Sequence, residues 1–317
     1  MKKEKCLTDY MAGIVAAMHK EGRLGTAHVY NSTLNRILDF NGNMPLMFNR
    51  ITPHWLQEFQ NYLLSRQLHW NSISTYMRML RATYMRAVDH GLAPYRPRLF
   101  KGIYTGTRVT VKRALDASLI RRIKDLQPAA DKAVEQSRQL FLLMFMLRGI
   151  PFVDIAFMRR CDLQGDIISY RRRKTGAWLT VRVEPEAMKL VRKLQSTNPC
   201  SPYLFPFIST PDREPYRQYQ SALRKFNTCL KLLARQLNCS YNLSSYCARH
   251  SWATIANYRN YQQELICNAM GHSSVKVTET YFKPHTDERI REMNRGILAY
   301  VFTGKNIRGK KGMLLCR

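Results

Sequence analysis

Tyr281, His272, Arg249 and Lys174 are the side chains on which a chemistry can be built. The surrounding chain runs Tyr246-Cys247-Ala248-Arg249-His250-Ser251-Trp252-Ala253-Thr254, then Met270-Gly271-His272-Ser273-Ser274, and ends at Thr280-Tyr281. An Arg-His pair opens one expected helix, a Gly-His pair closes the next, and Tyr281 follows His272 by nine residues. Guanidinium groups grip phosphate oxygens in a bidentate fork. Imidazole donates a hydrogen bond or moves a proton near neutral pH, and a tyrosine hydroxyl can be a covalent nucleophile. The set suits attack by Tyr281 on a phosphodiester, leaving a phosphotyrosine bond and a free hydroxyl. Because bond energy is conserved, rejoining needs no ATP, and no metal or other cofactor is expected.

The arrangement resembles the second half of the catalytic domain of the tyrosine recombinase (phage integrase) family. That family carries a His-x-x-Arg-His box, then Leu-Gly-His, then a nucleophilic Tyr nine residues on; Arg249-His250, Gly271-His272 and Tyr281 fall on those positions. The resemblance implies a 3′-phosphotyrosyl link on Tyr281 and a 5′-hydroxyl leaving group. It implies that Arg249 binds the non-bridging oxygens, and that His272 hydrogen-bonds to the phosphate or to the tyrosine. The alternative for His272 is a histidine that merely favours a helix C-terminus. His250 is expected to support the site or touch DNA. Tyr246 stands where the family has the first His of its box. A phenol with an ordinary pKa near 10 is a poor base at neutral pH but can donate a hydrogen bond.

Lys174 lies in the polar segment Arg171-Arg172-Arg173-Lys174-Thr175-Gly176. The resemblance makes it the general acid for the leaving 5′ oxygen; the alternative is phosphate anchoring, a role that Arg171, Arg172 and Arg173 share. The family's first arginine belongs to a Gly-Leu-Arg-x-x-Glu pattern, but here Arg148 precedes Asp154 by six residues and Pro151 takes the arginine's place. Either Arg148 reaches the phosphate, Arg172 replaces it, or one arginine is missing; Arg148 is slightly preferred. Asp154 would orient the arginine or cap a helix.

Charge points to the same class of partner. Across 317 residues, 51 Lys and Arg against 22 Asp and Glu give a formal charge of +29. Such an excess, spread along the chain, predicts a polyanionic partner held by a folded clamp. The eight cysteines include no Cys-x-x-Cys pair and read as reduced thiols. Neither a signal peptide nor a membrane-spanning run is evident, so a cytoplasmic, nucleoid-associated protein of a bacterium is expected.

The elements that must position these residues are mainly helical with a small β-hairpin, an α+β chain of two domains clamping DNA. Residues 5–92 read as a helical bundle resembling the family's SAM-like core-binding domain. Thr8 or Asp9 is expected to cap the first helix, Thr26 to begin the second, Thr52-Pro53 to open the third and Asn71 the fourth. Arg78, Arg81 and Arg86 of the fourth, among Tyr76 and Tyr84, form either a DNA-facing surface or a solvated basic one. Residues 93–113 read as a basic linker with Pro94 and Pro97. Residues 114–300 read as the catalytic domain, with a long helix from Ala129 to Arg148, strands Ile167–Tyr170 and Trp178–Val183, and helices thereafter. A basic tail, 301–317, ends the chain.

The expectation is a site-specific DNA recombinase working by integration, excision or inversion. It resembles the branch of the family common in Bacteroides-type bacteria. The resemblance implies double-stranded DNA with short inverted repeats, a homotetramer on two sites that exchanges C-terminal segments, accessory DNA-bending factors and no membrane. The rivals are a weakened relative that only binds DNA, a type IB topoisomerase, and a basic RNA-binding structural protein.

Overall fold

The computed structural model describes residues 6–108, 113–209, 212–239, 242–283, 290–291, 293–295 and 297–298. The expected linker residues 109–112, the break at Pro284, part of the expected last helix and the basic tail lie outside them. The chain divides into two compact units, Met1–Thr110 and Val111–Arg317. It is mostly helical, with one small antiparallel sheet.

The first unit holds α1 (Leu7–Lys20), α2 (Leu24–Phe40), α3 (Pro53–Ser65) and α4 (Trp70–Asp89). Apolar residues at helical spacing meet in one core: Leu7 and Met11, Leu34 and Ile37, Leu56, Phe59 and Leu63, Ile73, Met77 and Leu80. Thr52 caps α3 by accepting from the Trp55 N–H at 3.1 Å, with Pro53 in the first turn. The expected cap of α1 is not used. Cys6 takes that position, and the Thr8 hydroxyl turns to Cys6 Sγ at 2.7 Å and to the Leu46 N–H at 3.4 Å.

Tyr84 does not belong to the exposed face of α4. It follows Ile73, Met77 and Leu80 on the buried stripe, is 1% exposed, and donates its hydroxyl to the Pro94 carbonyl at 2.8 Å. Arg78, Arg81 and Arg86 remain exposed beside half-buried Tyr76. Much of the stretch read as a linker is packed structure. Leu99 and Ile103 enter the first core, Arg96 donates to the Ile51 and Asn49 carbonyls, and Tyr104 N–H donates to Gln60. Asn71 both donates to and accepts from the Arg108 backbone, whose guanidinium lies 4.4 Å from the Trp70 ring centre. Prolines stop the helix here, but enough apolar residues follow to pack the succeeding turns against the core.

The second unit opens with α5 (Ala117–Asp125) and α6 (Lys132–Met146), the latter shorter than expected because Asp131 caps it. Residues Leu140 to Met144 are buried all round, against α8 (Pro185–Leu194), α9 (Pro215–Gln236) and α10 (Ser245–Tyr258). Between α7 (Phe152–Ala156) and α8 lies a sheet of β1 (Leu163–Gln164), β2 (Ile167–Arg171) and β3 (Trp178–Arg182), ordered β1-β2-β3. Its register pairs Ile168 with Val181 and Tyr170 with Leu179, sending Ile168, Tyr170 and Val181 inward. Two short helices, α11 (Gln263–Met270) and α12 (Val275–Glu279), follow α10.

Thr52→Ala removes the α3 cap and should cost about 1 kcal/mol locally. The expected reading is faster native-state hydrogen exchange of the first-turn α3 amides, with the second unit unchanged.

Candidate active site

The site is assembled where the turn after α6, the end of α11 and the β2–β3 hairpin meet the start of α10. Leaving α6, the chain takes two successive left-handed residues, Arg148 (φ 59) and Gly149 (φ 67). A Cβ on Gly149 would stand 2.7 Å from the Arg249 Cα, so only glycine permits this approach of α10. The approach lets Arg249 Nη1 donate to the Gly149 carbonyl at 2.9 Å. Helix α11 ends on Gly271, also left-handed (φ 61), which leaves its last carbonyls free to accept elsewhere.

Two guanidinium groups take up those carbonyls. Arg249 Nη2 donates to Met270 O at 2.7 Å, and Arg172 Nη1 donates to Met270 O and Gly271 O, each at 3.0 Å. Arg249 is 2% exposed and Arg172 4%. Burial, and then the Arg172 charge, pushes Arg249 below its ordinary pKa, and its Nε is buried without a hydrogen-bond partner. Asp154 on α7 is the carboxylate in contact: it accepts from Arg172 Nε at 3.4 Å and from the Arg173 N–H at 2.9 Å. Burial raises its pKa, opposed by these two contacts. With Arg249, Arg172 and Lys174 against Asp154, the cluster is short of negative charge.

His272 joins the guanidinium to the tyrosine. Its Nε2 accepts from Arg249 Nη2 at 2.8 Å, so the ring proton sits on Nδ1 and is donated to Thr278 Oγ1 at 2.8 Å. Burial, then the charges of Arg249, Arg172 and Lys174, pushes its pKa down to about 4. The Tyr281 ring stacks on His272, with centroids 5.0 Å apart, and lies 5.6 Å from the Arg249 guanidinium carbon. The Tyr281 carbonyl accepts from Thr254 Oγ1 at 3.0 Å and from His250 Nδ1 at 3.4 Å. The Tyr281 hydroxyl lies 2.9 Å from that of Tyr246. Burial, then the bond to Tyr281, pushes the Tyr246 pKa up to about 12, so Tyr246 remains a phenol through the ordinary pH range.

The structure thus brings Tyr281, Tyr246, Arg249, His272 and Arg172 together. His250 packs on Tyr281 with ring centroids 4.6 Å apart, and Lys174 is near enough for its charge to act on His272. Arg148 lies apart from this network: its Nη1 donates to the Thr180 carbonyl at 3.3 Å, and no hydrogen bond among the described residues ties it to the others. Arg171 braces the hairpin by donating to the Gly176 carbonyl at 2.9 Å, and the Arg173 guanidinium lies 3.8 Å from the Phe157 ring centre. Arg78, Arg81 and Arg86 belong to the first unit. Sequence reasoning passed over Gly149, Thr254 and Thr278. Only Gly149, beside an arginine at a helix end, carried a local signal.

Comparison with known proteins gives concordant findings. The model of the phage integrase SAM-like domain matches residues 6–102, and that of the phage integrase family matches residues 118–288. Compared directly with curated protein sequences, the chain has no match. Among solved structures it is similar to the Tn1549 transposon integrase in complex with transposon right end DNA, at 13% identity and TM-score 0.65, covering 92% of this chain and 99% of that one. It is similar to a lambda integrase dimer bound to a COC′ core site, at 13% identity and TM-score 0.63, covering 88% of this chain and 77% of that one. The XerH site-specific recombinase bound to difH substrate is similar at 15% identity and TM-score 0.57, covering 88% and 83%. At these identities the structural likeness establishes the fold.

Two outcomes test the geometry. Gly149→Ala should destabilise the second unit by about 1–3 kcal/mol from the left-handed backbone alone, and more from the contact with Arg249, read as a lowered thermal midpoint. His272 should titrate near 4 by NMR. Its folded pKa is depressed below the unfolded 6.5, so the unfolded chain binds the proton first. Stability should therefore fall as pH drops from about 6.5 towards 4, and His272→Gln should flatten that part of the profile.

Proposed function

Since the chain belongs to the phage integrase family, we propose that it is a site-specific DNA recombinase that cuts and rejoins strands through a 3′-phosphotyrosyl intermediate on Tyr281. The observation that carries this reading is the setting of the Tyr281 hydroxyl. The Tyr246 hydroxyl lies 2.9 Å from it, and the ring that carries it stacks on His272 and lies 5.6 Å from the Arg249 guanidinium carbon. A nucleophile, a phosphate-binding cation and a hydrogen-bonding imidazole are what in-line attack on a phosphodiester requires.

The Tyr281 oxygen attacks phosphorus, and the bond to the 5′ oxygen breaks. Arg249 stabilises the charge that builds on the non-bridging oxygens. Lys174, from the exposed hairpin turn, gives a proton to the departing 5′ oxygen. Tyr246, a phenol throughout, donates to the Tyr281 oxygen as negative charge develops there. The bound phosphate takes over the Arg249 N–H that His272 Nε2 accepts in the free protein. The phosphate also neutralises the cations that depress the imidazole, so His272 can receive the Tyr281 proton. Rejoining runs these steps in reverse, with a 5′ hydroxyl as nucleophile.

The net charge of +29 and the exposed Arg78, Arg81 and Arg86 support a DNA duplex as partner. So does the similarity to the Tn1549 transposon integrase in complex with transposon right end DNA. Exposed Ile290, Met293, Ile297 and Leu298 recur at helical spacing. That stripe, exposed among the described residues, supports exchange of the C-terminal segment between copies in a tetramer on two inverted-repeat sites. Integration, excision or inversion, help from DNA-bending factors, the Bacteroides-type branch and a nucleoid location in a bacterium complete the proposal.

The test uses a duplex site selected from a random library by binding to the full-length protein, nicked near the cleavage point. Wild type should give a covalent protein–DNA band on a denaturing gel. Tyr281→Phe should bind the duplex with near wild-type affinity and give no such band; recombination by Tyr281→Phe would overturn the assignment. Arg249→Ala should lower the rate of adduct formation by about 10²–10³-fold.

A further inference from the structure

The position at which the family's pattern places an arginine is Pro151, which carries no charge, and the nearby Arg148 donates to the Thr180 carbonyl of β3. The hairpin supplies a guanidinium instead. We propose that Arg172 is the second phosphate-binding arginine of this site, and that Asp154 is the residue that positions it; the proposal rests on the reading of Tyr281 as nucleophile.

Three observations carry it. The first is a shared acceptor. Met270 O receives both Arg249 Nη2 and Arg172 Nη1, which places the two nitrogens within about 6 Å of each other. One phosphate offers two non-bridging oxygens, and two guanidinium groups so placed can each hold one. The second is electrostatic. Two cations are buried side by side, and the carboxylate that touches either of them, Asp154, touches Arg172 and the Arg173 backbone. Like charges in a poorly hydrated setting are unfavourable until an anion joins them. Packing alone would be served better by an apolar side chain than by a second arginine.

The third is the way in which the chain makes room. Gly271 has no side chain, and a Cβ there would stand 3.0 Å from the Arg172 Cδ, so the aliphatic stem crosses the end of α11 over a glycine. Arg172 is fixed at both ends. Its N–H donates to the Ala177 carbonyl at 2.8 Å and its carbonyl accepts from the Gly176 N–H at 2.8 Å, while Asp154 holds Nε. The Arg172 charge bears on Arg249, His272 and Tyr246. The second guanidinium beside Arg249 comes from the hairpin.

The experiment measures covalent-adduct rates on the selected nicked duplex, with an ordinary phosphodiester and with an uncharged methylphosphonate at the cleaved position. Arg172→Ala should slow adduct formation about 10²–10³-fold on the phosphodiester. Most of that loss should vanish on the uncharged linkage, where there is less charge to neutralise. Arg172→Lys should fall between, since an ammonium lacks the fork, and it carries the test if the alanine variant fails to fold. Arg148→Ala should stay within about threefold of wild type on both. Asp154→Asn should slow the reaction, but add little in the Arg172→Ala background. A larger loss for Arg148→Ala than for Arg172→Ala overturns the proposal, and that ranking on the phosphodiester decides by itself. An Arg172→Ala loss that is equal on the two linkages shows a packing role and overturns it too. If wild type forms no adduct on a site that it binds, the Tyr281 reading fails and Arg172 loses its role with it. If wild type reacts and the ranking is reversed, only the Arg172 assignment fails.

Discussion

One carbonyl oxygen organises the site. Met270 O, at the end of α11, accepts from Arg249 on α10 and from Arg172 on the hairpin. The helix can offer that oxygen because Gly271 turns left-handed and ends the hydrogen-bond ladder. Everything else is arranged around the resulting pair of cations. Gly149 yields the space that brings α10 close, and Asp154 ties the hairpin to α7. Arg249 is held by neutral carbonyls and Arg172 by carbonyls and a single carboxylate, so the pair keeps an excess of positive charge that attracts an anion.

The same constraint sets the protonation states around Tyr281. Cations close to His272 keep it neutral in the free protein, with its lone pair turned to Arg249 and its proton to Thr278. Tyr246 is kept protonated from the other direction, by burial and by its bond to Tyr281. A histidine in place of Tyr246 would face the same cations that depress His272. A phenol carries no positive charge in either state, so it can hold a hydrogen bond to Tyr281 without adding to the local repulsion. That is a physical reason for a tyrosine to be tolerated beside two buried arginines.

The sequence was most legible where a property is local. The Thr52-Pro53 cap, the β2–β3 alternation and the apolar stripes of α1 to α4 are short-range patterns, and the structure follows them. It was least legible where one residue serves two patterns. Tyr84 is aromatic among arginines and also one step of the Ile73-Met77-Leu80 stripe, and burial decided in favour of the stripe. Residues 93–108 have a linker's prolines and basic residues, yet Leu99 and Ile103 are apolar enough to be drawn into the core. Asp131 shortened α6 by capping it after the expected start at Ala129.

By itself the sequence determined the kinds of group available: a tyrosine nine residues after a Gly-His, an arginine beside a histidine at a helix start, a basic hairpin, and a charge that demands a polyanion. Spacing along one stretch could do this because Tyr246 to Tyr281 folds as consecutive short helices. Which arginine stands beside Arg249 was decided only by the tertiary structure. Arg148 and Arg172 flank Asp154 in sequence, and both are far from Met270 along the chain. Choosing between them depends on where the α6–α7 turn and the hairpin project, and on the room left by Gly149 and Gly271. Such contacts are set by the packing of whole elements, which no local pattern of residues encodes.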